Sequence, residues 1–199
     1  MRCAAAIIVG LGGCGFHSNA ASPEVDAPPG TEPDAAVDVG PLVCPTTAAW
    51  ISITGSTSKY MIESSSDEIS QWWRANLRCN AAGAGIHLVV FDSMQEAVDL
   101  SAKLQPTKIY YTGMLQPNGP ILAADGWTQI TGRNAISWWG NGEPNDGGVP
   151  GNIVDTGVAQ FAVIDMTSYL RDVDGHQSHD YVCECDGRAV DTTIQIPPQ

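Results

Sequence analysis

The sequence predicts an α+β domain, and three features predict it. Two amphipathic stretches with helix-opening caps come early, between Ser65 and Leu104. Residues 118–157 are then dominated by Gly, Asn, Asp and Pro and offer only short strand candidates. Apolar strand-like segments close the chain. Early helices, a long loop region and terminal strands together indicate α+β.

Each element has a local reason. Ser65 and Glu68 fit a capping box that opens the first helix. Ile69, Trp73 and Leu77 recur at helical spacing, with Trp72, Ala75, Cys79 and Ala82 on the flank. Gly83 and Gly85 stop the helix. Residues 86–91 (IHLVVF) read as a strand. Ser93 and Glu96 form a second capping box, and Ala97, Leu100, Ser101 and Leu104 make the inner stripe of a second helix. Residues 108–114 (KIYYTGM) read as a buried strand. Within the loop region, Gly126-Trp127-Thr128 and Ile136-Ser137-Trp138-Trp139 are short strand candidates. Residues 159–164 (AQFAVI) and 180–185 (DYVCEC) are the last strands. A loop of such length inside a compact domain is usually functional or wrongly assigned.

Composition narrows the partners. The chain has 199 residues, 22 acidic against 9 basic, for a net charge of −13. That excess argues against nucleic acid, whose phosphates demand Lys and Arg. It is compatible with a hard cation such as calcium. Charged residues are only 16% of the chain, which argues against a coiled coil or a long solvated helix.

The N-terminus reads as an address. Arg2 gives a positive start and residues 3–11 (CAAAIIVGL) are apolar, too short a run to span a bilayer. Leu11-Gly12-Gly13-Cys14 is similar to the lipobox of bacterial lipoproteins. On that reading residues 1–13 are a lipoprotein signal peptide and Cys14 takes the lipid; the other reading is an ordinary secretory signal. Two or three acyl chains would anchor the chain stably, at ~0.8 kcal/mol per buried methylene. The expected location is the bacterial cell envelope, lipid-anchored at the outer membrane or cell surface. Residues 14–43 hold five prolines, five acids and no Lys or Arg. Such a stretch cannot bury enough apolar surface to offset its ordering entropy, so it reads as a disordered acidic linker. Residues 44–187 form the domain, with net charge −9 once Arg2 and the linker acids are removed. Residues 188–199 read as a C-terminal tail.

Cys44, Cys79, Cys183 and Cys185 remain for the domain, an even number in an exported chain, so two disulfides are expected. Cys183 and Cys185 are two apart on a strand and face the same way, so a bond between them would strain the chain. Two connectivities stay open.

The order of the residues then carries a resemblance. Tyr60, Trp73, Ala75 and Cys79, then Gly85-Ile86-His87-Leu88 with Ser93 and Glu96, resemble the first half of a C-type lectin-like domain. Tyr111-Thr112-Gly113 loosely matches the family's central Trp-Ile-Gly strand. Gly126-Trp127 and residues 139–145 (WGNGEPN) resemble its long loop with the Glu-Pro-Asn triplet. Leu170-Arg171-Asp172 and Tyr181-Val182-Cys183-Glu184 resemble its Trp-Asn-Asp segment and closing Cys-Glu. The resemblance implies two helices flanking a small antiparallel sheet with a long upper loop. It implies disulfides Cys79–Cys183 and Cys44–Cys185. With no Ser-His-Asp order, nucleophile elbow or phosphate loop, the chain reads as a binding module rather than an enzyme. The departures are specific. The family's inner disulfide, near Phe161 and Gly175, lacks both Cys; the Trp of Trp-Asn-Asp is Leu170; Lys59 stands where a long-form domain has Cys.

The resemblance further implies a calcium site at Glu143, Asn145 and Asp172. Two oxygen-bearing side chains separated by a cis X-Pro bond can face one cation, and calcium takes 6–8 oxygens. A bound sugar of mannose type would add two vicinal hydroxyls to the shell held by Glu143, Asn145 and Asp172, with stacking on Trp138 or Trp139. Against this, Arg171 occupies the place of a liganding Asn, and Ala159 or Gln160 that of a second Glu. Asp146, Asn152 and Asp155 are candidates to compensate. Three readings stay open: a calcium-bound carbohydrate site, a metal-free loop that binds a cell-surface protein or a polymer, and a plain turn. A structural envelope protein is the remaining alternative.

Other constellations are weaker. His176, His179, Cys183 and Cys185 have zinc-like ligand types, but exported thiols oxidise and Cys44 and Cys79 would be left over. Asp172-Val173-Asp174-Gly175 lacks the Glu that would complete an EF-hand loop. No nucleophile elbow or phosphate loop is present. His87 falls on a buried strand pattern and reads as a satisfied core residue.

Overall fold

A computed structural model describes residues 43–46, 49–64, 71–117, 123–136, 138–145 and 160–197. The anchor at Cys14 and the linker up to residue 42 lie outside them, as do the first capping box at Ser65 and Glu68, Ile69, and Asp146, Asn152 and Asp155.

In chain order the elements are β1 (Lys59–Glu63), α1 (Trp72–Ala81), β2 (Ile86–Leu88), α2 (Met94–Ser101), β3 (Tyr110–Leu115), β4 (Thr128–Gln129), β5 (Phe161–Ile164), β6 (Leu170–Val173) and β7 (Asp180–Cys185). The strands form one sheet in the order β1-β7-β3-β5-β6, with β2 also on β7 and β4 on β3. The fold is α+β, but the sheet is not wholly antiparallel as the resemblance implies. β3 and β7 run parallel, Tyr110 opposite Asp180 and Tyr111 opposite Tyr181. A parallel pair needs a long crossover, and the loop region with β5 and β6 supplies it.

Residues 86–91 split between two roles. Only Ile86–Leu88 pair as a strand on β7. Beyond it Val89 N–H donates to Val182 O, Val90 N–H to Glu184 Oε2 and Phe91 N–H to Gln129 Oε1. The buried backbone is thus satisfied partly by side chains. Central β3 approaches this segment so closely that a Cβ on Gly113 would lie 2.6 Å from Leu88 O.

Helix α2 follows its sequence signals. Ser93 Oγ accepts from Glu96 N–H, and Ala97, Leu100, Ser101 and Leu104 are buried. Glu96 Oε2 accepts from Asp92 N–H at 2.7 Å, one residue before the cap. Its other oxygen accepts from the buried Tyr60 hydroxyl, which ties β1 to α2.

Helix α1 departs from expectation. Its buried face is Trp72, Trp73, Ala75, Asn76 and Cys79, while Leu77 is 67% exposed. Leu77 therefore does not belong to the inner stripe. The face is turned by its anchors. Cys79 is bonded to Cys183, Trp72 Nε1–H donates to Thr112 O, and Trp73 Nε1–H to Pro197 O. Trp72 N–H is satisfied by Gly175 O. The second disulfide joins Cys44 to Cys185.

Phe161 occupies the position near which the resemblance places one half of an inner disulfide. Its ring lies 4.6 Å from Trp72 and 5.0 Å from Trp73 and covers Gly175, where any Cβ would overlap it. An aromatic cluster seated on a glycine thus holds β5 to the turn after β6. Residues 188–197 also pack against the domain: Val190 and Ile194 reach the core, and Asp191 N–H donates to Ile130 O.

Gly175→Ala should therefore cost about 1–3 kcal/mol, the usual range for overpacking a filled core. Leu77→Ala should stay within about 0.5 kcal/mol, as exposed positions do. Denaturant unfolding of the two variants checks both values.

Candidate functional site

The site is built where the loop after Trp139 meets β6. Trp139 bridges Leu170 in parallel, Gly140 N–H donates to Leu170 O at 2.9 Å, and Glu143 N–H donates to Gly140 O. A tight turn over Gly140–Glu143 is therefore pinned to Leu170, the first residue of β6, two residues from Asp172 on the same strand. The Glu143–Pro144 bond is cis. Asn145 N–H donates to Asp172 Oδ1 at 2.9 Å. Asn145 and Asp172 are both 7% exposed. The structure therefore brings Glu143, Asn145 and Asp172 together.

Electrostatics at this point disfavour ionising Glu143. Burial, a hydrogen bond shared with the Asp172 carboxyl and that group's charge push Glu143 up to about 7, and Arg171 pulls it the other way. Glu143 Oε2 is buried and has no hydrogen-bond partner among the described residues. Paired carboxyls and an orphaned carboxylate oxygen fit a divalent oxygen-seeking cation. Two carboxylates and an amide fall short of a full shell, so water or ligand oxygens must complete it.

Arg171 lies on the other face of β6, as alternation along a strand requires. Its Nη2 pairs with Asp165 Oδ2 at 2.8 Å. Asp165 Oδ1 in turn accepts from Thr167 N–H at 2.7 Å, so the β5–β6 turn holds the guanidinium. Ser168 takes φ 68° in that turn. Arg171 still borders the same cavity of about 710 Å³ as Trp139, Asn141, Glu143, Asp165 and Tyr169.

Trp139 is half-buried and packs edge-on against Trp127 at 4.7 Å. Trp138 is half-buried beside Phe91 and belongs more to the core. Tyr169, 46% exposed, is the aromatic that the sequence reading missed. A turn-rich Asp-Met-Thr-Ser-Tyr stretch between two strands was its only signal.

The zinc reading fails: Cys183 and Cys185 are both in disulfides. His176 instead pairs with Asp174, and His179 stacks on Tyr111. His87 is fully buried with both ring nitrogens engaged.

With this geometry in place, the fold can be set beside known structures. The carbohydrate-recognition domain of the mouse scavenger receptor C-type lectin superposes with a TM-score of 0.54 at 19% identity, covering 71% of this chain and 97% of that one. The C-type lectin domain of murine dendritic cell inhibitory receptor 2, solved in complex with N-glycan, gives 0.54 at 22% identity, with 71% and 98% covered. A calcium-independent type II antifreeze protein gives 0.53 at 18%, with 77% and 99% covered. No family model and no curated protein matches the sequence. At these identities the likeness concerns the fold alone, which is C-type lectin-like.

The raised Glu143 has a consequence in chelator. Between the ordinary carboxylate range and about 7, the folded domain holds a proton on Glu143 that the unfolded chain has released. Stability must therefore fall as pH rises through that window. Thermal unfolding in chelator at pH 5 and pH 8 should show a smaller decline for Glu143→Gln than for the wild type.

Proposed function

We propose that the domain binds carbohydrate through a calcium ion held by Glu143, Asn145 and Asp172. The observation that carries this reading is the orphaned, buried Glu143 Oε2 beside the Asp172 carboxyl. Calcium would neutralise the pair and present open positions to two vicinal hydroxyls of a mannose-type sugar. Trp139 and Tyr169 supply apolar ring surface at the cavity rim. On this reading the domain binds and does not catalyse. The domain of murine dendritic cell inhibitory receptor 2, solved with N-glycan, lends support by analogy of fold.

A second reading has its own observation. Arg171 stands beside Glu143 and lowers its pKa, offering the site a cation of its own. A metal-independent module that binds a protein or polymer on the same cavity would then result. The calcium-independent antifreeze protein has this fold too.

The chain is further proposed to be a bacterial lipoprotein anchored to the cell envelope through Cys14, with the acidic linker as its tether. Lys- and Arg-poor surfaces speak against nucleic acid.

Calorimetric titration of residues 44–199 with calcium, repeated with mannose, separates the two binding readings. The expected calcium affinity is weak, ~10⁻⁴–10⁻³ M, in the range of extracellular modules. Glu143→Gln should weaken calcium and sugar binding together, and Arg171→Asn should strengthen calcium binding. Equal ligand binding in excess chelator would favour the metal-independent module.

For the anchor, Cys14→Ser should move the protein from the membrane to the soluble fraction in its host. Unchanged fractionation would contradict lipidation.

A further inference from the structure

A second group of ligating atoms lies at the other side of the sheet from the Glu143 site. His87, Glu184 and Asp186 bring one ring nitrogen and two carboxylates together, the three ligating atoms all within 4.8 Å of one another. The sheet register places them there, because His87 of β2 lies opposite Glu184 of β7. Asp172 belongs to β6, at the far end of the strand order.

Hydrogen-bond parity makes the cluster unusual. His87 Nδ1 lies 2.8 Å from Leu88 O, and a carbonyl oxygen only accepts. Nδ1 therefore carries a proton. Nε2 lies 3.0 Å from Asp186 Oδ1, and a carboxylate oxygen also only accepts. A neutral imidazole has a single N–H, so a second cation must stand between Nε2 and Oδ1. It is either a proton, carried by the ring or by the Asp186 carboxyl, or a metal ion. His87 has no exposed surface and Glu184 is 1% exposed, so bulk solvent does not soften the requirement.

Each candidate ligand is also held from behind, as metal ligands are. Leu88 O orients the imidazole, Val90 N–H fixes Glu184 Oε2 at 3.0 Å, and Arg188 N–H fixes Asp186 Oδ1 at 2.8 Å. Arg188 Nε pairs with Asp186 Oδ2 at 3.1 Å, while the terminal nitrogens of the same guanidinium reach outward to Asp92. A polar cavity of about 290 Å³ opens on this place, lined in part by Ser58, Glu96, Asp186 and Arg188. We propose that His87 Nε2, Glu184 and Asp186 form a zinc site, with water completing the shell. An imidazole with two carboxylates suits zinc, whereas calcium prefers oxygen alone. Zinc would stand where that proton otherwise must, and the two carboxylates would balance its charge.

The test uses the full chain with both disulfides formed, stripped of metal and titrated with zinc chloride. Ring-nitrogen NMR of the wild type should show His87 Nε2 losing its proton on zinc addition while Nδ1 keeps its own. Calorimetry should give one zinc whose affinity falls at least about tenfold in His87→Gln, the loss that removing even an outer-shell partner brings. The double variant His176→Ala/His179→Ala should bind as the wild type does. An Nε2 proton that persists in excess zinc would overturn the proposal, since the cation is then only a proton. So would zinc binding that is unchanged in His87→Gln or lost with His176 and His179. If His87→Gln does not fold, the wild-type spectrum decides alone.

Discussion

Strand β7 is the constraint on which the rest of the domain depends. Six residues, all buried, pair with β1, β2 and β3 at once. Cys183 and Cys185, two apart on one face, tie the same strand to α1 and to the start of the domain at Cys44. Each bridge closes a loop of over a hundred residues (separations of 104 and 141), and such links restrict the unfolded chain by about 2–4 kcal/mol apiece. With β7 fixed, β3 is fixed by the parallel pairing, and β5 and β6 by β3. Asp172 therefore has a set position before any loop residue is considered.

The candidate site then follows as a loop laid against a rigid edge. Glu143 and Asn145 belong to a turn, yet their backbone is pinned to Leu170, Gly140 and Asp172. Binding sites on loops gain precision from such a scaffold. What the fold leaves unbalanced is charge. Two carboxyls face one another with a buried oxygen unserved, and the nearby guanidinium is diverted to Asp165 by the β5–β6 turn. That imbalance favours a cation between Glu143 and Asp172 over a site satisfied by Arg171.

Much of this was legible in the chain itself. The capping signal at Ser93, the stripe of α2 and the strand at Tyr110–Leu115 follow from local chemistry alone. The disulfides join the pairs that the resemblance implies, where spacing by itself left two connectivities. Other features were illegible for physical reasons. The face of α1 is set by Cys79 and by indole bonds to distant carbonyls, so the repeat through Leu77 misleads. The parallel β3–β7 pair depends on a crossover of some sixty residues, which no local pattern encodes. Tyr169 lines the cavity from a turn in which Ser168 takes a positive φ, which no local pattern encodes. The replacement of a disulfide by Phe161 seated on Gly175 is visible only once both are in place.

The central claim is that a cation belongs between Glu143 and Asp172. Crystals of residues 44–199 grown with calcium chloride, measured at long wavelength, test it by anomalous scattering. The account predicts one peak at about 2.3–2.6 Å from carboxylate oxygens of both Glu143 and Asp172. A map with no peak there, and the Arg171 guanidinium turned from Asp165 onto Glu143, would contradict it.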